Sequence, residues 1–362
     1  MISLYIYRLK FKKPFITGHD TYTHRKGVLI RYLNNSVDFW SEAAPLPGFS
    51  PDTIHDITKF MSGHIEEINS LFTSDFSESD LRNSLQKWPQ YPSLQYALSY
   101  LGIRLLAHRM NMPAEDFLPF KFSHKLTIND ILGITNPDEI QKKLQASYDN
   151  GFRTLKIKTG DSPKELAHSL KIVSANFPDL KFRIDANQSW PIGRVNEFSS
   201  YFSDLPVEYI EEPSVFSDPT ELYDLLKTAQ SPVALDESIR DTKHLSEIRK
   251  TNPNIYLVIK PALMGNLFTL AETIKDFDSK RHRIVFSTLL ESKIGREMTA
   301  FTAAKLGDPS LAHGLNTGKL FSEDLLPDFS LNHGNIQVTK CIREKRKPIR
   351  FQYLTTMNGI HS

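Results

Sequence analysis

Apolar and polar residues alternate from the start of the chain. Residues 2–11 (ISLYIYRLKF) and 27–33 (GVLIRYL) follow the two-residue period of strands with one buried face. The polar, glycine-containing stretch between them, PFITGHDTYTHRKG, predicts a mobile loop over about residues 14–26. After Trp40 the turn-rich SEAAPLPGFS leads to Ser50 and Pro51, which predict a helix start with a capping hydroxyl and a proline where no backbone donor is missed. That helix would run to about Phe72. A second one is predicted over residues 93–110 (SLQYALSYLGIRLLAHRM), where apolar residues recur every three or four positions densely enough to bury most of its surface. This first region reads as an α+β unit.

From about residue 125 the texture changes. Short apolar runs alternate with amphipathic stretches: TLKIK before PKELAHSLKIVSANF, FRID before a helix near 191–203, VEYIEE before a helix near 219–229, then VALDE, YLVIK, RIVFS and the AHGL segment. Strands apolar on both faces that alternate with helices predict a parallel sheet. Counting a first strand near Leu126–Ile131, about eight units fit before residue 320, the size of a compact (β/α)8 TIM-type barrel. The expected organisation is therefore α/β: a capping unit over 1–122, a barrel over 123–320, and a segment over 321–362 that packs back on the cap.

Composition narrows the class of molecule. The 44 Lys and Arg nearly balance 42 Asp and Glu and are spread along the chain, which argues against a nucleic-acid partner. The basic run Lys340–Arg350 contains Glu344 and no aromatic residues, and reads as a solvated edge. A single cysteine, Cys341, precludes an internal disulfide framework and suits a reducing, cytoplasmic setting. Arg8 and Lys10 interrupt the N-terminus before a signal-type apolar region can form, and no run approaches the length of a membrane span. A monomer or a homo-oligomer fits equally.

The informative feature is where the charged residues fall. Lys158, Asp185, Glu211, Asp236 and Lys260 each end an apolar run, and they are 27, 26, 25 and 24 residues apart, one β/α unit each time. Ser287 and Gly314 extend the series by two steps of 27. Strand ends often carry charge simply because they reach water. In a barrel, however, C-terminal strand ends converge on one mouth, so these side chains would share a cavity. Asp185, Glu211 and Asp236 offer three hard oxygen ligands, which suit Mg2+, with Mn2+ as a substitute. Without a cation the three carboxylates would repel one another. Lys158 and Lys260 flank them. A lysine with an ordinary pKa near ~10.4 works as a base at neutral pH only if burial or neighbouring positive charge lowers that value, and Lys156, on the same strand face, offers such charge. The pattern predicts proton abstraction next to a carboxylate whose enediolate a metal holds. Asn187 and Glu237 read as supports of the metal ligands. Glu212 is an alternative ligand that strand alternation turns away. Thr288, with Ser287, is a candidate for binding a substrate carboxylate. His24, His282 and His313 show no ligand spacing and read as structural.

In these motifs (KxK at Lys156–Lys158, DxN at Asp185–Asn187, EEP at Glu211–Pro213, DES at Asp236–Ser238, and KPALMG from Lys260) the chain resembles the enolase superfamily, in its muconate-lactonizing-enzyme-like branch. The resemblance implies a modified TIM barrel capped by a domain built from both termini, with Lys158 and Lys260 as acid/base lysines and Asp185, Glu211 and Asp236 on Mg2+. Residues 42–50 (EAAPLPGFS), KPALMG, FSTLLESKIG and AHGLNTGKLF are most similar to o-succinylbenzoate synthases of menaquinone biosynthesis. That similarity implies a small-molecule carboxylate substrate. Lys158 would remove the proton α to its ring carboxylate, and hydroxide would leave from the same face. Ser287 and Thr288 would lie near the succinyl group, and Gly314 would be a further substrate-binding position. Thr288 and Asn316 stand where relatives are expected to carry Ser and Gly. Rival expectations are an N-acylamino acid racemase or dipeptide epimerase on the same scaffold, and a non-catalytic binding protein, which would have decayed at one of the five charged positions.

Overall fold

The computed structural model describes residues 1–16, 21–133, 137–159, 162–251, 253–339 and 349–356. Within them the strands are β1 (Ile2–Ile16), β2 (Thr21–Leu33), β3 (Asp38–Ala43), β4 (Lys125–Thr127), β5 (Asp130–Leu132), β6 (Thr154–Lys158), β7 (Lys181–Asp185), β8 (Val207–Glu211), β9 (Val233–Leu235), β10 (Ile255–Ile259), β11 (His282–Phe286), β12 (Asn335–Gln337) and β13 (Leu354–Thr356).

The alternating N-terminal segments pair as an antiparallel sheet in the order β13-β1-β2-β3. Most of the loop expected at 14–26 is strand instead: after a register shift beyond Lys10, Phe15 pairs with Tyr22 and Ile16 with Thr21. Polar composition had suggested a loop, but long-range pairing overrides it, and only 17–20 lie outside the described residues. The first helix, Ile54–Thr73, starts later than expected. Thr53 is its cap, because Thr53 and Asp56 satisfy each other's backbone donors in a capping box. The Ser50 hydroxyl closes the preceding turn by accepting from the Leu46 N–H at 2.9 Å. Helix Pro92–Arg109 is buried almost all round, as its apolar density predicted, between β3 and the barrel helix Pro261–Met264.

The second layer is a curled, all-parallel sheet ordered β11-β10-β9-β8-β7-β6-β5. The first barrel strand, expected as one run over 126–131, is split: β4 pairs antiparallel with β12, while β5 runs parallel to β6. The AHGL segment is not a strand. It closes the barrel through two parallel bridges, Ser287 with Gly314 and Ile128 with His313. Gly314 permits this approach, since a Cβ there would stand 2.6 Å from the Ser287 hydroxyl. The helix expected near 191–203 is shorter, a 3-10 turn at Ile192–Arg194 followed by Val195–Ser200. Tyr209, Ala234, Val258, Val285 and Leu311 fill the interior as a separate apolar cluster. Across the closing seam, buried Asp130 accepts from Ser147 (2.6 Å), Asn316 (2.8 Å) and Lys319.

Cap and barrel are joined by buried polar groups. Glu42 of β3 accepts from the Tyr7 hydroxyl at 2.6 Å and from the Ser292 and Gly295 N–H groups at 3.0 and 2.9 Å, so a cap carboxylate covers the N-terminus of barrel helix Lys293–Leu306. Arg25 of β2 donates to the Pro45 carbonyl at 2.8 Å and to those of Leu290 and Leu289 at 3.1 and 3.2 Å. No helix among the described residues is long and apolar enough to cross a membrane.

Candidate active site

The parallel register explains why residues so far apart in sequence meet. Lys158 pairs with Asp185 and Asp185 with Glu211, three successive strands ending level. Glu211 pairs with Ala234, two residues before Asp236 and on the same face of the chain. Ile259 pairs with Phe286, so Lys260 and Ser287 leave adjacent strands together, and Ser287 bridges to Gly314. All seven strand-end positions therefore ring one mouth, at the C-terminal face. Lys158, on β6, and Lys260, after β10, stand four strands apart in the sheet order.

Lys156 does not lend its charge to Lys158. Its ammonium lies between the carboxylates, 2.9 Å from Asp185 and 2.6 Å from Glu211. Burial opposes the charge on Lys156, but Asp185, Glu211 and Asp236 outweigh it and hold its pKa well above the ordinary value. Glu211 moves well up: burial is the main cause, Lys156 opposes it, and Asp185 and Asp236 add to it. Asp236 feels the same burial, yet its ion pair with Lys260 and the nearby Lys156 keep its pKa below the usual range. Lys158 makes no ion pair among the described residues, so its Nζ is the lysine nitrogen at this mouth not committed to a carboxylate.

The loops beyond the strands hold the carboxylates in place. Glu212, just past the end of β8, is fully buried with φ of 39°. It accepts from the Asp236 N–H at 2.7 Å, the Ser238 N–H at 3.2 Å and the Ser238 hydroxyl, so it fixes the loop that carries Asp236. Asn187 donates from its backbone to Asp185 at 3.1 Å and from its amide to Glu237 at 2.9 Å. Burial first, then Asp236, raises Glu237 to about 7. The Thr288 hydroxyl is bonded to that of Thr317 at 2.9 Å and is buried. Of the histidines, His313 sits in the closing seam and accepts from the Phe286 N–H at 3.1 Å, with burial pushing its pKa down to about 3. His282 is at the start of β11, the end of the barrel away from the mouth, and His24 contacts Arg8 on the cap sheet.

Two contributors escaped sequence reasoning. Phe49, from the turn-rich cap segment, reaches the mouth and lies with its ring centroid 4.5 Å from the Lys260 ammonium. Its only signal was an aromatic residue inside a Pro/Gly turn. Glu212 reads from the sequence only as a ligand candidate, and nothing in spacing reveals its bonds to residues 24 and 26 positions later.

Among the described residues no three Asp, Glu, His or Cys side chains form a ready-made cage for a metal ion. Lys156 stands between Asp185 and Glu211 instead, and Lys260 pairs with Asp236. The donor set still fits a hard divalent cation: three carboxylates at one rim, one raised in pKa partly by the other two, with Glu211 Oε2 buried and lacking a hydrogen-bond partner.

Comparison with known proteins agrees with this architecture. Residues 139–309 match the family model for the enolase C-terminal domain-like region, and residues 1–104 match the MenC N-terminal domain. The chain is 26% identical over 329 residues to an o-succinylbenzoate synthase of Pasteurella multocida, covering 87% of this chain and 88% of that one. In fold it is similar to the o-succinylbenzoate synthase of Thermosynechococcus elongatus complexed with Mg in the active site (TM-score 0.66, 23% identity, 86% of this chain and 92% of that one). It is also similar to the L-Ala-D/L-Glu epimerase of Bacillus subtilis (TM-score 0.78, 18% identity, 96% and 97%). The chain belongs to the enolase superfamily, and it is an enzyme.

Proposed function

We propose that this enzyme is an o-succinylbenzoate synthase, dehydrating 2-succinyl-6-hydroxy-2,4-cyclohexadiene-1-carboxylate to 2-succinylbenzoate. The observation that carries the reading is the ladder that sets Lys158 beside Asp185 and Glu211 with Lys260 across the mouth. Its support in sequence is the likeness to enzymes of that name along most of the chain. Asp185, Glu211 and Asp236 are the residues that would hold Mg2+, which when bound would supply the positive charge needed beside a substrate carboxylate whose α-carbon loses its proton. Lys158, with no ion pair among the described residues, takes the proton α to the ring carboxylate on its Nζ and returns it to the departing hydroxide on the same face. Lys260 holds positive charge on the opposite side, beneath Phe49. Lys156 orients Asp185 and Glu211 through its two ion pairs, and Asn187 and Glu237 steady the loops behind them. Ser287 is the hydroxyl available to the substrate's second carboxylate. Thr288 contributes through Thr317, and Gly314 leaves room for Ser287.

A second reading, racemisation of an N-acylamino acid, rests on one observation: two lysines face each other across the mouth, as two-sided proton transfer requires. Ultraviolet progress curves with Mg2+ and the cyclohexadiene carboxylate, run beside N-succinylamino acids followed by polarimetry, separate the two. Rapid aromatisation, lost by at least about a thousandfold in Lys158→Ala, is expected. Racemisation without aromatisation would overturn the synthase reading and retain the site.

A further inference from the structure

The cap segment that carries Phe49 is a tight turn. The Phe49 and Ser50 N–H groups donate to the Leu46 carbonyl at 3.0 and 2.8 Å, and Gly48 supplies the positive φ of 74° that the turn requires. The turn is rigid within itself, but its place over the mouth is not fixed by packing on every side. Phe49, Ser50 and Pro51 line a 680 Å³ cavity between cap and barrel, together with Leu263, Met264 and Asn266. On that side the segment borders open space rather than packed side chains.

Arg240 reaches across this gap. Four positions beyond Asp236, it donates from Nε to the Glu237 carbonyl at 2.6 Å and from Nη1 to the Phe49 carbonyl at 3.1 Å. Its guanidinium also lies 4.6 Å from the centroid of the Phe49 ring, whose other cationic neighbour is Lys260. The planar fork matters here. A guanidinium can bond to two carbonyls and stack on a ring at once, whereas an ammonium on a flexible stem cannot do all three.

We propose that Arg240 is a positioning residue that ties the cap turn Leu46–Ser50 to the loop bearing Asp236 and Glu237, and so holds the Phe49 ring over Lys260. It acts through Phe49 and touches none of the reacting atoms. The effect on turnover rests on the synthase reading above; the mechanical tie does not. A substrate entering a site whose turn is loose must order that turn on binding, so loss of the tie appears mainly in KM.

The test uses the full chain with Mg2+ and compares wild type, Arg240→Ala, Arg240→Lys and Phe49→Leu by amide hydrogen exchange and steady-state kinetics. In Arg240→Ala, exchange over 46–51 is expected to speed up by about tenfold, with helix Pro92–Arg109 unchanged. KM should rise by about five- to tenfold with kcat within about threefold, and Arg240→Lys should recover part of both. Phe49→Leu keeps the carbonyl, so it should keep the exchange protection and lose kcat through the uncovered Lys260. Unchanged exchange over 46–51 in Arg240→Ala, or faster exchange throughout the fold, would overturn the proposal. An inactive wild type with the expected exchange pattern would sink the synthase reading alone.

Discussion

Glu291 offers a test of how cap and barrel are held together. It is buried at the domain boundary, accepts from the Leu289 N–H at 2.6 Å, and leaves its other oxygen without a partner. Burial first, and then the nearby Glu42, raise its pKa from the ordinary 4.5 to about 7, while Arg25 opposes the shift. The folded chain thus holds this proton more tightly than the unfolded chain does. The stabilisation is complete below pH 4.5 and is lost as the pH climbs through about 7. At 1.36 kcal/mol per unit, the loss by pH 8 is about 3 kcal/mol, against about 1 kcal/mol at pH 5. Glu291→Gln keeps the shape and an acceptor for Leu289 but carries no charge. Scanning calorimetry should show the variant melting about 5 °C above wild type at pH 8 and about 2 °C above it at pH 5. An equal shift at both pH values, or a destabilised variant at pH 8, would refute the assignment of a reluctantly ionised carboxyl to this boundary.

Other expectations concern the mouth and the seam. Glu212→Ala leaves the Asp236 and Ser238 N–H groups unpaired in a buried loop, so Mg2+ affinity by titration calorimetry should fall by about 10- to 100-fold, with Glu212→Gln retaining most of it. Gly314→Ala brings a methyl to 2.6 Å from the Ser287 hydroxyl, which should cost about 1–3 kcal/mol in urea unfolding, and adding Ser287→Gly should recover most of that. Asp130→Ala strands Lys319, Asn316 and Ser147 at the barrel closure, with an expected loss of about 3 kcal/mol; a loss below about 0.5 kcal/mol would show that the closing bridges hold without it.

The five charged strand ends were legible in the sequence because a β/α unit has a nearly fixed length. A repeat of 24 to 27 residues between Lys158, Asp185, Glu211, Asp236 and Lys260 implies one rim before any pairing is known. The alternation of β1 and the density of helix Pro92–Arg109 were equally local, since each follows from which side chains must be buried. Contacts between distant segments were not legible. The pairing that turned residues 14–16 and 21–26 into strand depends on two segments meeting, as does the antiparallel pairing that detached β4 from the barrel. Lys156 shows the limit most clearly. Its position two residues before Lys158 put it on the right face, but its partner depended on how close Asp185 and Glu211 came, and two carboxylates within hydrogen-bond reach hold an ammonium more strongly than a neighbouring lysine can use it. Local periodicity therefore determined which residues share the rim. The tertiary structure decided which of their charges are paired, because Coulomb energy in a buried site changes steeply over the last few ångströms, a distance that sequence spacing does not encode.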